Sequence, residues 1–367
     1  VGYMSGASRA LQTGPPETRA WLDAAAPALE GGGPVDDAEA LVALGYLDAV
    51  EPAPATAGVL RPDRSATSPG VNLVVGAHAP EARLLDADGT LLHRWAVPFA
   101  VAFPDHADDP PAEGHRYWRR VALLPEGDLV VVYEGQGGAR IDRESRVGWA
   151  SFDRAHHDVR VEGDGNIVTL TREVGPREGY ASRRPIIDDH VRVYSPDGDV
   201  VAETSVLGAI ERSAYARMPE LTWTSGDLLH TNTVRSLDGR PPARNPALQA
   251  GNFLVTVPHL DAVFAIDPTA AGGQGAAVWM LAGGMRFPHD GDLLDDGSLL
   301  VLDNRGNDGM SKVVELDPLT QQVRWGYYGT PGNGFSTAFC GAARPLPHGH
   351  PPIVESDAGG APGGAPP

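Results

Sequence analysis

Leu-Pro-Glu-Gly-Asp-Leu-Val-Val at 124–131 reads as a tight turn followed by a β-branched strand, and variants of it recur along the chain. Acidic-Gly pairs flanked by such runs are typical of β-hairpins. The variants are Glu-Gly-Asp-Gly-Asn-Ile-Val at 162–168, Ala-Gly-Asn-Phe-Leu-Val at 250–255, Asp-Asp-Gly-Ser-Leu-Leu-Val at 295–301 and a degenerate Pro-His-Gly-His at 347–350.

A second hairpin family alternates with the first. Its members are Leu-Asp-Ala-Asp-Gly-Thr at 85–90, Tyr-Ser-Pro-Asp-Gly-Asp at 194–199, Ile-Asp-Pro at 266–268 and Leu-Asp-Pro at 316–318. Two hairpins make one four-stranded blade, so the repeats predict an all-β propeller of five or six blades rather than a sandwich. We take six as the prediction.

The ends of the chain differ in composition from the repeats. Asp36 and Glu39 before an apolar run that ends near Gly45 predict a short capped helix, and Pro- and Ala-rich flanks predict a linker. We therefore divide the chain into a helix and linker at 1–60, a propeller at 61–357 and a disordered Gly/Pro-rich tail at 358–367.

Charge and cysteine content exclude several classes of function. The formal net charge is −19, from 48 acidic and 29 basic residues, which disfavours nucleic acids and anionic membranes as partners. Cys340 is the single cysteine, so no intrachain disulfide and no cysteine-cluster zinc site can form. The chain has no apolar run long enough for a transmembrane helix and no cofactor fingerprint, so no cofactor is predicted.

Histidines recur in register with the turn glycines. His157 and His289 each stand eight residues before a turn glycine, Gly165 and Gly297, and Arg119 holds the same position before Gly127. The longer third copy begins its strand with His230-Thr231-Asn232. Because equivalent positions of propeller blades lie at equivalent radii, these residues should ring one mouth of the channel.

The returning strands contribute a second set of side chains to the same mouth. Seven residues after the turn glycines stand Glu134, Arg172, Pro258 and Asn304, with Arg305 adjacent to the last. The sequence thus predicts a funnel containing His157, His230 and His289 with Arg119, Arg172, Asn232 and Arg305.

Such a funnel suits an anion, because Arg offers a planar fork of donors and His moves protons near neutral pH. Three imidazoles can also hold zinc, but the interleaved arginines would repel a cation, and we predict no metal site. Five other histidines are interpreted as structural or exposed, namely His156, His190, His259, His348 and His350. Asp158 and Asp290 should orient the neighbouring imidazoles or bind the strand rather than act as acids.

Several short segments between Gly45 and Asp357 together resemble the bacterial arylsulfotransferases, propeller enzymes that use aryl sulfates as donors. They are Leu-Gly-Tyr-Leu at 44–47, Ala-Arg-Leu-Leu-Asp-Ala-Asp-Gly at 82–89, His-His-Asp-Val at 156–159, His-Thr-Asn-Thr-Val at 230–234, His-Leu-Asp at 259–261, Pro-His-Asp at 288–290, Asp-Asn-Arg-Gly at 303–306 and Phe-Cys-Gly at 339–341.

The resemblance implies a ping-pong transfer of a sulfuryl group from an aryl sulfate to a phenol. His289 would be the nucleophile and carry a transient sulfohistidine. His230 and Asn232 would hold sulfate oxygens, and His157 would position sulfate or act as general base. An extracytoplasmic location is also implied.

The sequence departs from the family pattern in two places. Pro258 stands where the family usually has an arginine that clamps sulfate, and Arg172 or Arg235 would have to compensate. After Ile353–Asp357 the chain becomes Gly/Pro-rich where the family continues into another hairpin, so the last blade should be incomplete. These departures leave an alternative, a weakened propeller that binds an anion or a partner through its funnel. A metal- or cofactor-dependent propeller enzyme is a third hypothesis.

Overall fold

The computed structural model describes residues 70–109, 112–180, 185–222, 226–239, 245–332, 335–337, 339–344, 353–354 and 362–363. The helix and linker predicted at 1–60 lie outside these residues. Of the predicted disordered tail, only Pro362–Gly363 is described, as a two-residue strand.

The described chain consists almost entirely of antiparallel strands in chain order. The first sheet has three strands, β1 (Asn72–Val75), β2 (Glu81–Leu85) and β3 (Leu91–Ala96). Four four-stranded sheets follow. The second sheet has β4 (Trp118–Leu123), β5 (Leu129–Tyr133), β6 (Gly137–Ile141) and β7 (Val147–Ser151), and the third has β8 (His156–Val161), β9 (Ile167–Gly175), β10 (Ile186–Tyr194) and β11 (Val200–Ser205). The fourth has β12 (Thr233–Ser236), β13 (Phe253–Val257), β14 (Ala262–Asp267) and β15 (Ala276–Ala282), and the fifth has β16 (Pro288–Leu293), β17 (Leu299–Asn307), β18 (Met310–Leu316) and β19 (Val323–Tyr328). The last sheet is short: β20 (Ala342–Ala343), β21 (Ile353–Val354) and β22 (Pro362–Gly363).

Helical segments are brief and lie between strands. They are α1 (Phe99–Ala102), α2 (Val206–Glu211), α3 (Ala270–Gly273) and 3₁₀ turns at Pro104–His106, Glu113–His115, Met218–Leu221, Pro246–Leu248 and Pro258–Leu260. Among the described helices, none is both long and apolar enough to span a bilayer.

Four members of the first hairpin family lie between the two innermost strands of the four-stranded blades, and the fifth, at 347–350, lies outside the described residues. Gly127 donates its N–H to Leu124 O at 3.0 Å, and Leu124 N–H donates to Asp128 O at 2.9 Å. Gly165 and Gly297 close the same turn, with φ values of +88° and +80°. Only glycine adopts this left-handed conformation without strain, which is why the repeats keep it.

Each inner hairpin is buried on both of its faces. Leu129 and Val131 of β5 pack with Trp95 towards the first sheet. Val130 and Val132, which point the other way, pack with Val159 of the following sheet. A strand between two sheets needs apolar residues at consecutive positions, so these strands read as continuous apolar runs rather than as alternating patterns.

Five blades stand in the ring. The inner strands β4, β8, β12, β16 and β20 contact one another in that order, and Arg119 of β4 closes the circle by lying 3.3 Å from the sulfur of Cys340, just before β20. Because β1 and β2 also contact β4, the first sheet and the short last sheet share the fifth place. The predicted count of six blades is therefore wrong. The first and the last described sheets lie at one blade position instead of forming two separate blades.

Bulges at the start of the inner strands turn the predicted site residues into the channel. The pairing of β8 with β9 shifts between His156 and Val159, and that of β16 with β17 shifts between His289 and Asp292. His157 and His230 adopt φ values of +57° and +54°. A bulge re-aims a side chain out of the regular alternation, and left-handed residues of this kind concentrate at functional sites.

Candidate functional site

Five histidines meet where the inner strands begin, and we call them the histidine cluster: His156, His157, His230, His259 and His289. The ring centroids of His157 and His230 are 5.1 Å apart, and those of His230 and His259 are 4.8 Å apart. His289 joins the group through Phe287, whose ring centroid lies 5.9 Å from that of His289 and 6.3 Å from that of His230. The structure thus places the three predicted histidines at one mouth of the channel.

Asn304 fixes the proton of His289. The Nδ2 group of Asn304 donates to the carbonyl oxygens of Thr337, Phe339 and Cys340, so its Oδ1 faces His289 Nδ1 at 2.7 Å as an acceptor. Nδ1 must therefore carry the hydrogen, and Nε2 holds the lone pair. Burial lowers the pKa of His289 to about 3, and the positive charge of Arg119 acts in the same direction. His289 is neutral near pH 7, with its lone pair on Nε2.

Two buried carboxylates stand behind His230. Asp227 accepts hydrogen bonds from the backbone N–H of His230 at 3.0 Å and from its Nδ1 at 2.7 Å. Asp189 accepts from the backbone N–H of Thr231 at 2.7 Å. Burial and the charge of Asp227 raise the pKa of Asp189. This pair orients His230 so that the Nε2 edge of its ring is directed away from Asp227.

Glu134 anchors His157 from the neighbouring blade. Its Oε2 accepts from the backbone N–H of His157 at 3.0 Å, and its Oε1 lies 3.2 Å from His157 Nδ1. Arg119 approaches the same carboxylate, with its Nε 3.9 Å from Oε2. Burial lowers the pKa of His157 well below its usual range, with Arg119 and His230 adding to the effect, so this imidazole is also neutral.

Arg172 also lies near His156 and His157. Its charge lowers the pKa of both His156 and His157, after the larger contribution of burial. Gly135 makes room for it, because a Cβ at that position would overlap Arg172 Nη2. The conformation of Gly135, with φ at +69°, also favours glycine. Two guanidinium groups, Arg119 and Arg172, therefore flank the histidine cluster.

Asn232 and Arg305 complete the predicted set. Asn232 Nδ2 donates to Pro288 O, next to His289, at 3.1 Å. The guanidinium of Arg305 stacks over the rings of Phe287 and Phe339 at 4.8 and 4.3 Å. Aromatic surface therefore borders the histidine cluster on the side of His289.

Pro258 opens a 3₁₀ turn and is followed by His259, which is buried and has its Nδ1 2.9 Å from Asp227 O. Burial lowers the pKa of His259 to about 4, and Arg305 is among the nearby charges that lower it. His156 is likewise buried against His157. We interpreted these two histidines as structural or exposed; the structure shows both buried, each with a ring nitrogen near a backbone carbonyl oxygen, and places both in the histidine cluster.

A second layer of charged side chains fills the channel just below. It takes one residue from each of the first four inner strands and one that directly follows β20, and we call it the arginine–aspartate layer: Arg120, Asp158, Arg235, Asp290 and Arg344. Arg235 pairs with both Asp158 and Asp290. It is therefore engaged away from the funnel and does not replace the arginine missing at Pro258.

The two aspartates of this layer also bind strands. Asp158 accepts from the backbone N–H of Val234 at 3.1 Å, and Asp290 from that of Ala343 at 3.2 Å. Charges that are buried in pairs with hydrogen bonds hold neighbouring strands in place.

Some of these side chains are spaced to hold a metal ion. Glu134 with His156 and His157, and Asp227 with His230 and His259, each bring their ligand atoms within 4.8 Å of one another. The guanidinium groups of Arg119 and Arg172 lie against His157 and would repel a cation there. The arrangement fits an anion better than a metal ion.

Comparison with known proteins gives the fold. No protein-family model and no curated protein matches the chain. A protein of unknown function from Bacteroides caccae is similar in structure, with a TM-score of 0.51 and 15% identity over 78% of this chain and 83% of that one. BamB from Moraxella catarrhalis is similar at a TM-score of 0.36 and 10% identity, over 81% and 72%, and the Dos1 propeller at 0.39 and 10%, over 76% and 60%. The ring of five blades described above makes the chain a β-propeller. At 15% identity the likeness to the Bacteroides caccae protein concerns the fold alone.

The functional side chains that we did not assign from sequence are mainly acceptors. Glu134 and Asn304 stand at the register position seven residues after a turn glycine, and we identified that position without giving these two a role. Asp227 is in the pattern Asp-x-x-His with His230, a spacing that allows a local hydrogen bond. This spacing could have predicted the contact between Asp227 and His230. No sequence pattern could have predicted the contact of Asp189 with Thr231, because the two residues lie in different blades.

Proposed function

We propose that the protein is an arylsulfotransferase-like enzyme that moves a sulfuryl group from an aryl sulfate to a phenol through a sulfohistidine at His289. The observation that supports this most strongly is the neutral His289 whose Nε2 lone pair is fixed by Asn304 beside Arg119. A nucleophile for an anionic donor must be uncharged and close to positive charge, and this side chain meets both conditions.

In the first half-reaction Nε2 of His289 attacks the sulfur of the aryl sulfate. The N–S bond forms while the S–O bond to the aryl group breaks, and the aryl oxide leaves with the electron pair. In the second, the oxygen of the acceptor phenol attacks sulfur, the N–S bond breaks and His289 returns to its neutral state. The acceptor gives up its proton, for which the neutral imidazole of His157 is the candidate base.

Negative charge on the sulfuryl oxygens needs donors around the sulfur. Arg119 and Arg172 supply positive charge near His157, and Asn232 supplies a directed donor. His230 donates its Nδ1–H to Asp227, and its Nε2 would donate to a sulfuryl oxygen when both ring nitrogens carry hydrogen. Such preorganised donors are worth more in a buried site than in water. Arg305 is our candidate for the role of the arginine missing at Pro258, since its charge acts on His259, the residue after Pro258.

The aromatic part of donor and acceptor has a matching surface. Phe287 and Phe339 present their rings to Arg305 at the edge of the histidine cluster, and their ring centroids are 6.0 Å apart. An aryl ring that enters the funnel can pack against them in an offset or edge-on geometry.

A second candidate function is an anion-binding propeller without turnover, favoured by the single observation that Pro258 offers no clamp.

A sulfuryl-transfer assay distinguishes the enzyme from the anion-binding propeller. We expect 4-nitrophenyl sulfate to release nitrophenolate with an added phenol, which becomes sulfated, and His289→Ala to abolish release. Asn232→Ala should lower the rate by about a hundredfold, and His190→Ala, which lies outside the cluster, should not. If the protein binds sulfate but neither releases nitrophenolate nor sulfates the phenol, the proposed enzymatic function is wrong and the anion-binding function is favoured.

A further inference from the structure

The channel has a second polar site below the arginine–aspartate layer. A cavity of about 230 Å³ lies where β8, β12 and β16 end. The lining side chains that bear on its chemistry are Arg160, Glu162, Arg235, Asp238 and Asp292. Arg160 and Asp292 each stand two residues after an aspartate of the arginine–aspartate layer, Asp158 or Asp290, and Arg235 belongs to both the layer and the cavity wall.

Arg160 is an incompletely compensated cation on this cavity. Its Nε and Nη2 are buried and make no hydrogen bond within the described part of the chain. The carboxylate oxygen of Asp292 is 3.6 Å from Nη2, beyond hydrogen-bonding distance, and the same oxygen accepts from Arg235 Nε at 3.0 Å. Burial, with the charges of Arg235 and Arg344, lowers the pKa of Arg160 to about 10. Buried donors without partners are costly, so this guanidinium favours a ligand oxygen.

The same cavity also has acidic side chains. Glu162, directly after β8, and Asp238, after β12, line it together with Arg160. Burial raises the pKa of Glu162, and the nearby carboxylates of Asp164 and Asp238 raise it further. An isolated anion bound at Arg160 would meet these carboxylates, whereas an ammonium group would be attracted to them.

We propose that this lower cavity binds a small zwitterion of the α-amino acid type, with its carboxylate on Arg160 and its ammonium on Glu162 and Asp238. The ammonium and the carboxylate of an α-amino acid are borne by one carbon atom, so a ligand that lies between Arg160 and Glu162 in this cavity reaches both side chains. Arg235 takes no direct part, because Asp158, Asp290 and Asp292 already satisfy its guanidinium. The proposal is independent of the sulfuryl chemistry at His289.

The test is calorimetric titration of the whole chain with glycine and L-leucine, each compared with analogues that carry one charge. For L-leucine these are 4-methylpentanoate, without the ammonium, and 3-methylbutylamine, without the carboxylate. We expect at least one of the amino acids to bind about tenfold or more tightly than both of its analogues. Arg160→Gln and Glu162→Gln should each weaken binding by about the same factor.

Two controls separate this site from others. Arg146→Gln changes an exposed arginine outside the channel and should leave the affinity unaltered, as should His289→Ala in the funnel. If Arg160→Gln fails to fold, as judged by circular dichroism, Glu162→Gln carries the test. Absence of binding by both amino acids, equal binding of the carboxylate analogue, or unchanged affinity in Glu162→Gln would each overturn the proposal.

Discussion

At the scale of single residues, the position of the ring hydrogen on His289 depends on its neighbour Asn304. Asn304 is held by three carbonyl oxygens, so only its Oδ1 can face the imidazole. The sequence places both residues at the funnel through the repeat register. It does not indicate which nitrogen carries the proton, because that depends on carbonyls of 337–340, more than thirty residues away.

The lowered pKa of His289 predicts the pH dependence of the first half-reaction. Only the neutral imidazole of His289 can attack sulfur. The rate of the first half-reaction should therefore be independent of the protonation of His289 above about pH 5 and should fall as the pH drops through about 3. Asn304→Asp puts a negative charge beside Nδ1, which stabilises the protonated ring and should move this fall to higher pH. Single-turnover release of nitrophenolate across pH measures it.

Asn307→Asp is the matched control, since Asn307 also lies on β17 and donates Nδ2 to a carbonyl, Gly329 O at 2.6 Å, without being a partner of His289. An equal shift of the pH profile in both variants would contradict the role of Asn304.

Gly135 tests the contribution of Arg172. In Gly135→Ala the new methyl group would overlap Arg172 Nη2 and displace the guanidinium from the histidine cluster. Binding of inorganic sulfate should weaken by about tenfold through loss of a charge-assisted contact. Gly251→Ala is the control, with a similar left-handed φ of +88° and open space around its Cβ. Each substitution should cost about 1 kcal/mol of stability. Sulfate affinity that falls equally in both variants would assign the effect to strain instead of to Arg172.

At the scale of elements, the turn glycines predicted the inner hairpins because the left-handed turn leaves few other choices of residue. Gly127, Gly165 and Gly297 all close the expected turn. The bulges at His157 and Asp290 could not be predicted in the same way. They depend on Glu134 and Thr233, which bind the bulged backbone from neighbouring blades.

The fifth place in the ring should be the least stable part of the propeller. The strands of its short sheet are two residues long, and β1 alternates between exposed and half-buried residues, whereas β5 is buried along its whole length. Few buried contacts mean a low local free energy of opening. Hydrogen–deuterium exchange should be faster in Asn72–Val75 than in Leu129–Tyr133. Equal protection of the two strands would show that the place where the chain ends meet is as stable as the complete blades.

At the scale of the whole molecule, the channel is a stack of three charged levels: the histidine cluster, the arginine–aspartate layer and the lower cavity. The net charge of −19 does not indicate this stack, because acidic residues outnumber basic ones in the chain as a whole and the total does not show where the arginines lie. The register argument predicted the upper level, since it needs only equivalent positions in successive repeats. The layer beneath needs the actual number of blades, which a degenerate last repeat leaves open between five and six.

Mass spectrometry of the intact protein after brief exposure to an aryl sulfate, quenched at alkaline pH, tests the central claim most directly. We predict one added SO₃ group on the peptide that contains His289, removed by a phenol. The adduct should be absent from His289→Ala but retained in Cys340→Ser, whose sulfur lies 3.3 Å from Arg119 and is the competing nucleophile near the funnel. An adduct that survives in His289→Ala, or a wild-type protein that transfers sulfuryl groups without ever carrying one, would contradict the sulfohistidine mechanism.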